Sequence, residues 1–159
     1  MSPAASRRSV VILESDELLG SAACGFLRHA DYETKWVATG EAALAEVCRR
    51  AVGLVIANTA EVGHPNPHWG ARLRRLSPET RFVLVWRHQP PACWAGADAE
   101  LQQPYTRFDL LVRVRWMCGP TPQSDAVLAE ELRSSGERTV RFSAPLVSAM
   151  RGGREESPV

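Results

Sequence analysis

The sequence predicts an α/β fold: a doubly wound parallel sheet of five strands with helices on both faces. Three observations lead there. Short apolar, β-branched runs alternate with stretches whose apolar residues recur at helical spacing. The loops between them are short, which favours neighbouring parallel strands joined by crossover helices. Ser9–Leu13, SVVIL, is apolar throughout rather than alternating, as suits a strand covered on both faces.

Each element has its own signal. Ser9–Leu13, SVVIL, is the first strand, and Ser15 or Asp16 can cap the helix that follows. Leu18, Leu19, Ala22, Ala23, Phe26 and Leu27 form its apolar stripe, and Asp31 breaks the pattern. Tyr32–Ala38 is a second strand. Thr39 caps a second helix with Ala42, Ala43, Leu44, Val47 and Cys48 as its stripe. Gly53 resets the chain, Leu54–Ala57 is a third strand, and Asn58–Pro67 is a polar, proline-containing loop. Trp69–Leu76 reads as a basic helix that Pro78 ends, and Phe82–Trp86, FVLVW, as the most apolar strand. Pro90 and Pro91 argue against a long helix in Arg87–Gly96. Asp98–Leu101 is a weak fifth strand. Thr106 caps a helix through Cys118, with Asp109 three residues on as capping-box partner, and Gly119-Pro120 stops it. Beyond lies an extension, 120–159: a helix at Ser124–Ser134 capped by Ser124, a strand at Thr139–Phe142, and a disordered end from Arg151. Residues 1–8 are expected to be flexible.

Composition excludes several function classes. The chain has 159 residues, enough for one domain with a real core. Its 19 basic and 18 acidic residues nearly cancel, so no field steers it to nucleic acid or an anionic membrane. No apolar run is long enough for a membrane span, and Met1–Arg8 leads into no signal-peptide core, so a cytoplasmic location is expected. Cys24, Cys48, Cys93 and Cys118 include no CxxC pair and read as small buried hydrophobes. His64 and His68 have a ligand-like spacing, but Pro65 and Pro67 forbid a helix and no paired cysteines accompany them; no metal or other cofactor is expected. No P-loop, nucleophile elbow or nucleophile–His pair is evident, which argues against an enzyme.

Five strands in about a hundred residues suit the flavodoxin-like order 2-1-3-4-5, in which ligands sit beyond the carboxyl ends of strands one and three. Those ends are Glu14-Ser15-Asp16 and Asn58-Thr59. From Ser9 to Cys118 the chain resembles the receiver (CheY-like) domain of bacterial response regulators. The resemblance rests on VVILESDELL, GLVIANT, FVLVW and GADAELQQPYTRFDLLVRVR in that order, with Gly96-Ala97-Asp98 and Pro104 the most specific matches. Residues 9–119 would then be the receiver-like domain. The resemblance implies a definite chemistry. An aspartate ending strand three accepts a phosphoryl group, and an acidic pair ending strand one holds Mg²⁺ with it. A Thr or Ser on strand four and a Lys after strand five then grip the phosphoryl group.

This sequence departs at nearly every such position. The acceptor is Asn58, which has no anionic oxygen. The acidic pair is Glu14 and Ser15, with Asp16 beside them. The Thr/Ser position is Trp86, with only an indole N–H donor, and the Lys position is Gln103. Lys35 is the only lysine and falls in strand two. The segment between strands four and five is short, so the helix there should be reduced or missing.

The expected function is a pseudo-receiver: a phosphorylation-independent protein-interaction and regulatory module in two-component-type signalling, with a signalling kinase or regulator and a second copy of the chain as partners. Trp69, Trp94, Tyr105, Arg113 and Arg115 are the interaction candidates, since aromatics and arginine carry interface energy. At least two of Trp36, Trp86 and Trp116 should fill the core, while Trp69 and Trp94 are expected at the surface. The extension is expected to cover apolar surface near strands four and five. The alternative is a small-molecule or metal sensor using a pocket lined by Asn58, Trp86 and Gln103. ERTVRFSAPLV faintly resembles the first strand of an OmpR-type winged helix, but too few residues follow Cys118 for that domain, so no DNA binding by this chain alone is expected.

Overall fold

Ten elements follow one another in the computed structural model, which describes residues 8–58, 68–88 and 96–135. They are β1 (Ser9–Leu13), α1 (Glu17–His29), β2 (Glu33–Val37), α2 (Gly40–Arg49), β3 (Leu54–Asn58), α3 (Trp69–Leu76), β4 (Arg81–Trp86), β5 (Ala99–Gln102), α4 (Arg107–Cys118) and α5 (Pro122–Ser134). The five strands form one parallel sheet in the order β2-β1-β3-β4-β5, as expected.

Residue alternation along each strand divides the core in two. Val10, Ile12, Leu54, Ile56, Val83 and Val85 face one way and pack with Cys24 and Leu27 of α1, and with Leu110, Leu111 and Val114 of α4. Val11, Leu13, Val55, Ala57, Phe82 and Leu84 face the other way, against Ala43, Leu44 and Val47 of α2 and Trp69 and Leu73 of α3. Both faces are covered, which explains the uninterrupted apolar runs.

The helix ends are fixed chemically. Asp16 accepts from the Leu18 and Leu19 amides. Thr39 accepts from Ala42, and Thr106 and Asp109 form the expected capping box. Gly119, at φ 86°, turns the chain after α4, a conformation that favours glycine.

The last helix differs from expectation in two ways. It begins at Pro122, and its cap is Thr121, not Ser124. Pro122 occupies the first helical position, where a missing N–H costs nothing, and Ser124 instead returns the reciprocal bond of a Thr121–Ser124 capping box. Nor does α5 cover strands four and five. Only Gly119, Pro120 and Thr121 separate it from α4, so it turns straight back, placing Val127 and Leu128 in the core shared by α1 and α4. The Thr121 hydroxyl donates to the Ala30 carbonyl at 2.6 Å, Tyr32 donates to the Gly119 carbonyl at 2.8 Å, and Arg115 pairs with Asp125.

Trp69, expected at the surface, is buried at 2% exposure. Its indole donates to the Gly40 carbonyl at 2.9 Å and meets Phe82 edge-on. Its position at the start of α3 turns it toward the sheet. Trp116, in contrast, is 58% exposed. Cys24 and Cys118 are buried as expected, and burial pushes the Cys118 thiol up to about 12. Cys48 is exposed, because Leu44 and Val47 already use the buried side of α2. Among the described residues of 87–98 there is no helix. Residues 1–7, 59–67 (with His64), 89–95 (with Cys93 and Trp94) and 136–159 (with Thr139–Phe142) lie outside the described residues. No helix of the described residues is long and apolar enough to cross a membrane.

Candidate functional site

The parallel sheet brings the carboxyl ends of β1, β3, β4 and β5 together, and with them Glu14, Asn58, Trp86 and Gln103. Glu14 follows β1 and is held in line by its N–H bond to the Val37 carbonyl, 3.1 Å. Its side chain is buried and turns toward β3. There Asn58 Nδ2 donates to Glu14 Oε2 at 2.8 Å, and the Asp16 amide donates to Glu14 Oε1 at 3.2 Å. The Gln103 amide donates to the Trp86 carbonyl at 2.7 Å, joining the ends of β4 and β5. Pro104 follows Gln103 through a cis peptide bond.

Asp16 does not stand in for the missing acid of the pair. Ser15 is exposed, and Asp16 is turned outward to cap α1, so of Glu14, Ser15 and Asp16 only Glu14 is directed inward. Glu14, Asn58, Tyr105, Leu19, Gly20 and Ala23 surround a space of about 10 Å³, which is about one water. Tyr105 faces this space; burial and then the Glu14 charge raise its pKa above the ordinary tyrosine value. Mg²⁺ requires several oxygen ligands in octahedral array. Here the single inward carboxylate already accepts on both oxygens, and no cluster of three metal-ligating side chains exists among the described residues. These residues do not fit the ion.

Nor do Asn58, Trp86 and Gln103 line one common pocket. Asn58 belongs to the small space with Glu14. Gln103 lines an adjoining cavity of about 580 Å³ with Arg87, Tyr105 and Arg107, and Trp86 lines neither. Trp86 is half-buried at the end of β4, and its indole N–H is buried without a partner among the described residues.

Two contributors were missed in the sequence. Trp36 of β2 donates its indole N–H to the Glu14 carbonyl at 2.7 Å and lies directly on Gly20 of α1. A Cβ at Gly20 would stand 2.1 Å from the Trp36 ring. A glycine inside the predicted helix was the available signal. Glu46 is the second: a carboxylate at 4% exposure, bonded to Lys35 at 2.7 Å and also to Arg49 and Arg50. Burial raises its pKa, but the three cationic donors outweigh this and hold the carboxyl at about 2. The only lysine is thereby engaged on β2, away from the strand ends.

The interaction candidates separate likewise. Arg113 lies over Trp116 on the outer side of α4, 6.0 Å from the ring centroid. Arg115 is taken up by Ser124 and Asp125 of α5, so it fastens the extension. The Gly96-Ala97-Asp98 motif is structural. Gly96 adopts φ 126°, and Asp98 accepts from the Phe82 amide at 2.7 Å and from Arg74 at 2.6 Å, tying β4, β5 and α3 together.

Solved structures of the same shape are response regulator receivers. A response regulator from Thermotoga maritima superposes with a TM-score of 0.61 at 19% identity, over 69% of this chain and 96% of that one. The chain has the receiver fold. A CheY-like receiver domain protein from Methanospirillum hungatei JF-1 gives a TM-score of 0.61 at 18% identity, over 79% and 97%. The beryllofluoride-activated NtrC4 receiver domain dimer gives 0.62 at 13%, over 69% and 95%. No protein-family model and no curated protein matches the chain. Within the receiver fold, Asn58 stands at the end of β3, where the resemblance puts the phosphoacceptor, and its amide is bonded to the residue that would hold the metal.

Proposed function

We propose that this chain is a phosphorylation-independent receiver-fold module that acts by binding protein in two-component-type signalling. The observation that carries this reading is the Asn58–Glu14 bond inside a space of about 10 Å³. An aspartyl phosphate with its metal needs an anionic acceptor, metal ligands and room. Asn58 is not an acceptor, Glu14 is spent, and the volume holds about one water. Neither Trp86 nor Gln103 supplies the grip of a hydroxyl and an ammonium group.

A module without a phosphate switch works through a constitutive surface. The outer side of α4, with Trp116 stacked under Arg113 and Val112 beside them, has the composition of an interaction patch. The partners in this reading are a signalling kinase or regulator and a second copy of the chain. The module performs no reaction of its own. Incubation with acetyl phosphate and Mg²⁺ tests the proposal: the intact mass is expected to stay unchanged. A gain of one phosphoryl group that disappears in Asn58→Ala would overturn it.

A further inference from the structure

The apolar stripe of α1 is wider than the core needs. Cys24 and Leu27 are buried against the sheet, yet Leu19 remains 54% exposed, and Ala22 is exposed as well. Leu19, Ala22, Ala23 and Phe26, at helical spacing, instead form one wall of the cavity of about 580 Å³. Leu110 of α4 and the Pro104–Tyr105 connection form the rest of its apolar lining. That volume lies in the range of sites for small organic ligands, which are mostly apolar with a few placed polar groups.

The polar groups here share one sign. Arg87 and Arg107 line the cavity with Gln103, and no acidic residue does among the described residues. Neither arginine forms an ion pair among the described residues. Arg107 lies over the Phe26 ring, 5.7 Å from its centroid, so its guanidinium sits where the apolar wall meets solvent. A second cavity, about 510 Å³ beside Trp116 and Gly119, contrasts with this one: Glu79 and Arg81 both line it, giving no net charge preference.

We infer that the cavity between α1 and α4 binds a small amphipathic anion, with an apolar body against Leu19, Ala23, Phe26 and Leu110 and a carboxylate-type head at Arg87 and Arg107. Guanidinium groups suit such heads because they donate in a planar fork. This cavity adjoins the small space at Glu14 and Asn58 and shares Leu19, Ala23 and Tyr105 with it, but neither Glu14 nor Asn58 lines it.

Decanoate is the probe, titrated into the full chain below its micelle concentration and followed by amide resonances. Saturable shifts are expected at Leu19, Ala22, Ala23 and Leu110. Affinity should fall at least tenfold for decanol, which lacks the charge, and for the Arg87→Gln/Arg107→Gln double variant. Both arginines are exposed, so that variant is expected to fold normally, which its melting temperature checks. Ala22→Trp, on the open wall of the cavity, should block binding with the charges intact. Absence of saturable shifts, equal affinity for decanol, shifts centred on Trp116, or binding unaffected by both variants would each overturn the inference.

Discussion

Gly20 and Trp36 give the sharpest residue-scale prediction, because intrinsic propensity and packing point in opposite directions. In a helix interior, glycine to alanine should gain about 1 kcal/mol. At Gly20 the new Cβ would stand 2.1 Å from the Trp36 ring, and that indole is bonded to Glu14. Gly20→Ala is therefore expected to lose about 1–3 kcal/mol by overpacking. The loss should shrink or change sign in a Trp36→Leu background, as a double-mutant denaturation cycle would show. Glu46 gives a pH signature. Its folded pKa of about 2 lies below the model-peptide 4.5. The stabilisation is thus fully present above pH 4.5 and is lost as pH falls toward 2. Because Lys35 and Arg49 are solvent-exposed, its size is discounted to about 1–2 kcal/mol. The stability gap between wild type and Glu46→Gln should narrow across that window; a constant gap would show that the cluster does not depend on the carboxylate charge. The tryptophans divide in the same manner. Trp69→Ala should cost about 3–5 kcal/mol by cavity formation. Trp116→Ala should stay within about 0.5 kcal/mol.

At the scale of elements, the strands and caps were legible and the last helix was only half legible. Short apolar runs such as SVVIL and FVLVW, bounded by turn residues, fitted doubly covered strands, and Thr106 with Asp109 announced α4 by itself. The stripe of α5 was visible in Val127 and Leu128, but its docking place depends on where the chain turns, and Gly119, Pro120 and Thr121 turn it back within three residues. Thr121 then serves both the helix and the domain, accepting from the Ser124 amide and donating to the Ala30 carbonyl. Thr121→Val keeps the shape and removes both bonds. It is expected to lower stability by about 1–2 kcal/mol in denaturant unfolding of the full chain. An unchanged midpoint would mean that α5 is not part of the cooperative unit.

For the whole molecule, order and spacing made the sheet topology readable, since five short strands with intervening helices leave few other arrangements. The identities of the strand-end residues were equally readable. Their geometry was not. Whether Glu14 or Asp16 turns inward is decided by which one caps α1, and the strand-end space is narrowed by Asn58, Gly20 and Tyr105 from three separate parts of the chain. Trp69 was misread for a similar reason: its loop-like surroundings in the sequence say nothing of which side meets the sheet. The central claim is that the phosphoryl site is narrowed to about one water and stripped of its ligands, and does not merely lack an acceptor. The most direct measurement is the intact mass of the Asn58→Asp variant after incubation with acetyl phosphate and Mg²⁺. The account predicts no stable gain, because Trp86 and Gln103 still cannot grip the group and the space still holds about one water. A stoichiometric gain of one phosphoryl group on that single substitution would contradict it.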